Sequence, residues 1–263
     1  MKNIILTTAI SFAILGSCTK IIDVELDEAD KRTTIDAQIE LGTKSVTSKI
    51  TTSGNFFGAN SNPAVTNAAV TLNDGTTDFP LINMGNGNYE LSNFSATSGA
   101  NYTMKVTENG QTYEAQTTMP NVVKIDTLLA TFTPQSAFSD SGYLINIVFR
   151  DPGAEANYYR IELDIAGERY GTIEDMILLD DDLTNGNIVN FPLFGADVAQ
   201  LGDTVTCYLR SLNKQSFDYF NAVDELLFGN AATPANPKSN FDNNALGNFS
   251  SFANDTLTII VTQ

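Results

Sequence analysis

The chain has 263 residues, of which 31 are Asp or Glu and 14 are Lys or Arg, giving a formal charge of −17 with no histidine. Such acidity repels phosphate backbones and so disfavours nucleic acid, while the missing imidazole removes the usual zinc ligand and general base, excluding most metallohydrolase and Ser-His or Cys-His chemistry. Hydrophobic content of 42% with 10% aromatic residues is that of a globular chain, and its 18 glycines with many Thr and Asn favour strands joined by turns.

Met1-Lys2-Asn3 is a short positive start, Ile4 to Leu15 a brief apolar run, and Leu15-Gly16-Ser17-Cys18 a small-residue end. The run falls short of the ~20 residues that span a bilayer, so residues 1–17 read as a secretory signal peptide. Its end resembles the lipobox of bacterial lipoproteins, in which the cysteine takes a diacylglyceryl group and becomes the first residue of the mature chain. Cys18 is therefore the expected lipidation site; the competing reading is an ordinary signal peptide ending in a chance cysteine. At ~0.8 kcal/mol per buried CH₂, two or three acyl chains anchor far more firmly than one myristoyl group. Residues 18–32, with Asp23, Glu25, Asp27, Glu28 and Asp30, read as a lipid-anchored acidic tether that stays solvated and holds the body off the membrane.

From Thr33 onward, short strand candidates alternate with turn residues, the pattern of a sandwich. Thr33 to Leu41 places Ile35, Ala37, Ile39 and Leu41 on one face, and Ser45 to Thr52 alternates in the same way. Ser53 to Asn62 reads as a loop. Ala68 to Leu72 and Asp78 to Ile82 flank the turn Asn73-Asp74-Gly75, and Tyr102 to Val106 and Tyr113 to Thr117 flank Asn109-Gly110, predicting two hairpins. Tyr89, Tyr102 and Tyr113 each follow a turn glycine, an arrangement that buries the ring and leaves the hydroxyl hydrogen-bonded. Residues 33–120 thus predict one immunoglobulin-like sandwich.

Residues 121–263 predict a second one, with strands near Val122 to Phe132, Gly142 to Phe149, Asn157 to Ile165, Asn187 to Phe191, Asp203 to Leu212 and Thr256 to Thr262. Residues 216–228 break the period: Phe217, Phe220, Val223, Leu227 and Phe228 recur at helical spacing before Gly229, predicting an amphipathic helix packed on the sandwich or an edge. Gly229 to Asn248 reads as an irregular loop belonging to an interaction face. The predicted fold is all-β, two consecutive immunoglobulin-like β-sandwich modules, the second carrying one amphipathic helix.

Cys207, in an alternating strand, reads as a small buried residue, and with Cys18 acylated it has no disulfide partner. Asp180, Asp181 and Asp182 with Asn185 are the one candidate metal set, since clustered carboxylates and an amide oxygen suit Ca²⁺. They lack the spacing of an EF-hand loop, and a solvated acidic turn is the competing reading. Asp151 reads as a turn residue before Pro152. No nucleophile has a partner, no phosphate-binding glycine pattern follows a strand, and no pair among the carboxylates is singled out. No catalytic residue, no cofactor and no enzymatic activity are expected.

The lipobox, Ala68 to Leu72, Gly87-Asn88-Tyr89, Gly99 to Tyr102, Gly110 to Ala115, Met119-Pro120 with Ile125-Asp126, Phe149-Arg150-Asp151-Pro152, Asn157-Tyr158-Tyr159-Arg160, Asp180 to Asp182 before Asn185-Gly186, Pro234 to Pro237, and Asn243 to Phe249 occur in an order that resembles the Bacteroidota outer-membrane lipoproteins called domain of unknown function 4249. The resemblance covers nearly the whole mature chain. It implies an outer-membrane location, surface-exposed rather than facing the periplasm, and association with a TonB-dependent receptor in uptake or envelope assembly; it carries over no catalytic residues. The partners expected are the membrane, through the lipid, and such a receptor. Two alternatives stay open: a fimbrial subunit, kept by Lys31-Arg32 before the first strand, and a glycan-binding surface lipoprotein, weakened by the absence of Trp.

Overall fold

The computed structural model describes residues 30–54, 62–135, 140–194, 198–228 and 236–262. In chain order the first part contains β1 (Thr33–Leu41), β2 (Ser45–Thr52), β3 (Ala69–Asn73), β4 (Asp78–Pro80), β5 (Ile82–Gly85), β6 (Asn88–Ser92), β7 (Asn101–Glu108) and β8 (Gln111–Thr118). The remainder contains β9 (Ile125–Thr133), β10 (Gly142–Arg150), β11 (Tyr158–Ile165), β12 (Glu168–Tyr170), β13 (Ile177–Asp180), β14 (Ile188–Pro192), β15 (Thr204–Leu212), the helix α1 (Lys214–Phe228) and β16 (Leu246–Ile260). Both predicted hairpins form, as β3–β4 and β7–β8.

The strands build three sheets: a nine-stranded one ordered β12-β11-β15-β16-β1-β2-β6-β5 with β13 also on β11, a four-stranded one ordered β4-β3-β7-β8, and a three-stranded one ordered β14-β10-β9. Two hydrophobic cores result. One gathers Ile35, Ile39, Ile50, Leu72, Met104 and Phe249 between the four-stranded sheet and one half of the large sheet. The other gathers Ile145, Ile147, Phe149, Ile161, Leu163 and Leu209 between the three-stranded sheet and the other half. The architecture is therefore a pair of β-sandwiches with a common sheet, each core supplied by the alternate residues of its strands.

β16 makes the sheet common. Leu246 to Ala253 run parallel to β1, whereas Phe252 to Ile260 run antiparallel to β15. The predicted strand at Thr256 to Thr262 is only the end of this element, and the division at residue 120 assigned all of residues 121–263 to the second module. Phe241, Ala245 and Phe249 lie in the first core. A parallel partner needs a long crossover, and here the rest of the first module and nearly all of the second lie between the two strands. The close approach of β16 to β1 requires Gly247: its φ is +94°, and a Cβ there would stand 2.1 Å from the Ile35 carbonyl oxygen.

The described end of the predicted 229–248 loop is tied to the first module. Asp242 and Glu114 exchange two hydrogen bonds, of 3.0 and 2.7 Å, Asn243 donates to the Thr112 carbonyl, and the Asn240 amide brackets the backbone of Phe249. The turn tyrosines behave as predicted. Tyr89 donates to the Val65 carbonyl and accepts from the Ala68 N–H, and Tyr102 accepts from the Thr97 N–H.

Candidate functional site

Residues pointing away from both cores on the large sheet form its outer face, and α1 lies across it. Asn213 starts the helix by accepting a 2.9 Å hydrogen bond from the Ser216 N–H, while its side-chain amide donates to the Thr117 hydroxyl on β8. One residue thus caps the helix and fastens it to the first module. Phe217 then packs on Tyr158 with ring centroids 5.0 Å apart, and Phe220 on Phe252 at 6.2 Å. Leu227 and Phe228, predicted to belong to the packed stripe, are exposed.

Beneath α1, the register of β11 and β15 assembles an ionic cluster. Arg160 and Arg210 are direct cross-strand partners, and Glu162 follows two residues after Arg160 on the same face. The buried Glu162 carboxylate meets Arg160 Nε at 3.1 Å and Arg210 Nε at 3.3 Å through one oxygen, and accepts a hydrogen bond from Arg169 through the other. Neither Nε is aligned for a hydrogen bond. Each guanidinium also faces a ring: Arg160 over Phe220 at 5.0 Å, Arg169 over Tyr208 at 3.8 Å and Arg210 over Phe252 at 5.4 Å. Arg160 donates to the Gly171 carbonyl at 2.6 Å. Burial pulls Arg160 below its usual range, with Glu162 opposing that shift and the two other arginines adding to it. Three guanidinium groups thus share one buried carboxylate, with Asp175 also acting on Arg160.

The cluster borders a cleft of about 480 Å³ at the seam of the modules. Arg160 and Arg210 line it from the second module; Asp36 and Lys49, cross-strand partners on β1 and β2, line it from the first together with Glu90. Phe220 and Phe252 form apolar wall, and Met84 and Ile173 stand at its mouth, 63% and 48% exposed. Asp36 keeps an exposed surface, but partial loss of water to the surrounding protein raises its carboxyl above the ordinary range, with Lys49 partly offsetting the shift. Burial, with Asp36 adding to it, pushes the Tyr219 hydroxyl up to about 12, so it stays protonated. These groups offer fixed charge, hydrogen bonds and apolar surface, the means of holding a ligand.

None of these residues was a predicted site. Arg160 and Glu162 alternate with the core residues Tyr159, Ile161 and Leu163, which placed them on an outer face; nothing local pointed to Arg210 as the partner. The predicted sites fall elsewhere. Cys18 lies outside the described residues, as does the tether through residue 29. Asp181 is buried and accepts from the Asn157 N–H at 2.9 Å, whereas Asp180 and Asp182 are exposed and Asn185 donates its N–H to the Asp181 carbonyl. The candidate calcium residues therefore serve a turn and do not converge, and no group of three or more Cys, Asp or Glu placed to hold a metal occurs among the described residues. Asp151 does more than turn the chain: it is buried, accepting from the Tyr159 hydroxyl and, at 3.0 Å, from the Gly186 N–H. This pairing, with burial as the larger cause, drives the Tyr159 pKa upward. Cys207 is buried and its thiol is pushed up to about 12, which leaves it unreactive.

The chain belongs to the family described as domain of unknown function (DUF4249), which matches it over residues 19–258. No curated protein matches it. Among solved structures, it is similar to a cytokine receptor complex at 9% identity and a TM-score of 0.28, covering 85% of this chain and 94% of that one. The chicken interferon gamma receptor alpha chain gives 9% and 0.26, covering 89% and 99%, and bovine butyrophilin 9% and 0.23, covering 69% and 92%. At such TM-scores these likenesses carry no argument.

Proposed function

We propose that this member of the DUF4249 family is a lipid-anchored accessory protein of the outer membrane that holds a ligand beside a TonB-dependent receptor, in uptake or envelope assembly. The observation that carries the reading is the seam cleft, where both modules contribute charged and apolar side chains to one concavity. The leader ending at Cys18 supports the anchor, and the acidic residues that follow it support a tether that lets the cleft face a neighbouring transporter. Among the described residues no helix is long and apolar enough to cross a membrane. The glycan reading is weakened further, since Tyr89 and Tyr102 spend their rings in the first core and offer no stacking surface. The fimbrial reading retains one point in its favour: β1 lies between β16 and β2, so its removal after Arg32 would open a groove that a donated strand could fill.

The test is mild detergent extraction of the tagged protein from cells fed an alkyne palmitate, comparing the native chain with Cys18→Ala. Incorporation of label at Cys18 and co-recovery of a TonB-dependent receptor are expected. Recovery as an unlabelled free monomer would overturn the reading, and ladders of heat-resistant oligomers would favour the fimbrial one.

A further inference from the structure

We infer that the seam cleft is a binding site for a small organic carboxylate with an apolar body, its carboxylate received by Arg160 and Arg210; this rests on the ligand-holding role proposed above. Charge is the first argument. Over the whole chain acids outnumber bases 31 to 14, yet three cations, Lys49, Arg160 and Arg210, line the cleft against two carboxylates, Asp36 and Glu90. Arg160 and Arg210 also stand in the cluster where three guanidinium groups share one Glu162. With Glu162 and Asp175, which also acts on Arg160, four carboxylates face the four cations Lys49, Arg160, Arg169 and Arg210, so the cleft is close to neutral in a strongly acidic chain and an incoming anion meets no net repulsion there.

Preorganisation is the second argument. The Arg160 and Arg210 side chains are only 12% and 18% exposed, and Glu162, the Gly171 carbonyl and the rings of Phe220 and Phe252 hold them in place. Little side-chain entropy is left to lose on binding, and a planar guanidinium fork suits a planar carboxylate. Gly171 contributes to this order. Its φ is +156°, and any Cβ there would strike the Glu162 side chain at 2.6 Å.

The apolar surface is the third. Phe220 and Phe252 stand inside, while Met84 from the first module and Ile173 from the second remain exposed at the mouth, as two side chains that a ligand body would cover. A highly charged ligand such as a phosphate dianion would gain nothing from those walls and would meet Asp36 and Glu90. The volume lies within the range of small-molecule sites.

The test titrates the full lipidated chain in detergent with hippurate, with its neutral analogue hippuramide and with phenyl phosphate. Hippurate is expected to bind, and hippuramide to bind about tenfold or more weakly, the value of one charge-assisted contact. Arg210→Gln should lose about tenfold toward hippurate and nothing toward the amide. Because that change touches the Glu162 cluster and could disturb folding, Met84→Glu provides a second variant at an exposed position; it should weaken hippurate while leaving the thermal midpoint in place. Equal binding of acid and amide, tighter binding of phenyl phosphate, hippurate binding indifferent to both variants, or no hippurate binding up to about 10 mM would each overturn the inference. Failure here with receptor co-recovery intact removes the ligand and keeps the accessory role; loss of co-recovery with hippurate binding intact does the reverse.

Discussion

The two faces of the large sheet are made by the same strands, one residue out of step, and they do opposite work. On the inner face Ile35, Ala37 and Ile39 of β1 and Tyr159, Ile161 and Leu163 of β11 are covered by whole opposing sheets. On the outer face Asp36 and Gln38, and Arg160 and Glu162, meet one helix and a cleft. The inner residues are apolar and interchangeable within limits of volume, so they hold the fold together without specifying anything beyond it. The outer ones include a buried carboxylate surrounded by arginines, an arrangement that apolar residues could replace at no loss of stability. It stands on the face that borders the cleft.

The largest effect should come from striking the join that both faces share. Gly247→Ala forces a Cβ into the β1 backbone at a positive φ, and should cost about 5 kcal/mol or more, read as a fall in the urea midpoint. A native midpoint would mean that β16 does not run against β1 as described. Next comes Glu162→Gln, which keeps the shape and removes the charge that holds three guanidinium groups together. A loss of about 3–5 kcal/mol is expected, as for breaking a buried ion pair, and a change near zero would mean that water already screens the cluster.

The smallest effect belongs to Asp36. Because its folded-state pKa lies above the ordinary value of 3.8, the folded protein holds that proton more tightly than the unfolded chain, and stability declines as pH rises through the raised value. Asp36→Asn should therefore be slightly more stable than the native protein at pH 7, with the advantage vanishing below the ordinary value. Equal urea midpoints at both pH values would show that the cleft leaves Asp36 solvated, sharpening the contrast between the faces toward the arginine end alone.

Much of the fold was legible in the residues. The β1 alternation, the two hairpin turns and the helical spacing of Phe217, Phe220 and Val223 are local stereochemistry, and each formed where predicted. The turn at Asp180 to Asn185 shows the limit: composition identified a knot of acids, but only the burial of Asp181 against the Asn157 N–H shows that they diverge.

Sequence alone settled the strand-rich class, the inward residues Ile35, Ala37 and Ile39 of β1, the family and the expectation of a lipid at Cys18, because side-chain alternation and short motifs depend on neighbours a few positions apart. Only the tertiary structure decided that β16 would cross from one sandwich to the other, setting Phe249 opposite Ala37 in the first core, and that β15 would set Arg210 beside Arg160. Strand partnership over such separations is the sum of many weak contacts and one tolerated close approach at Gly247, and no window of neighbouring residues contains that sum.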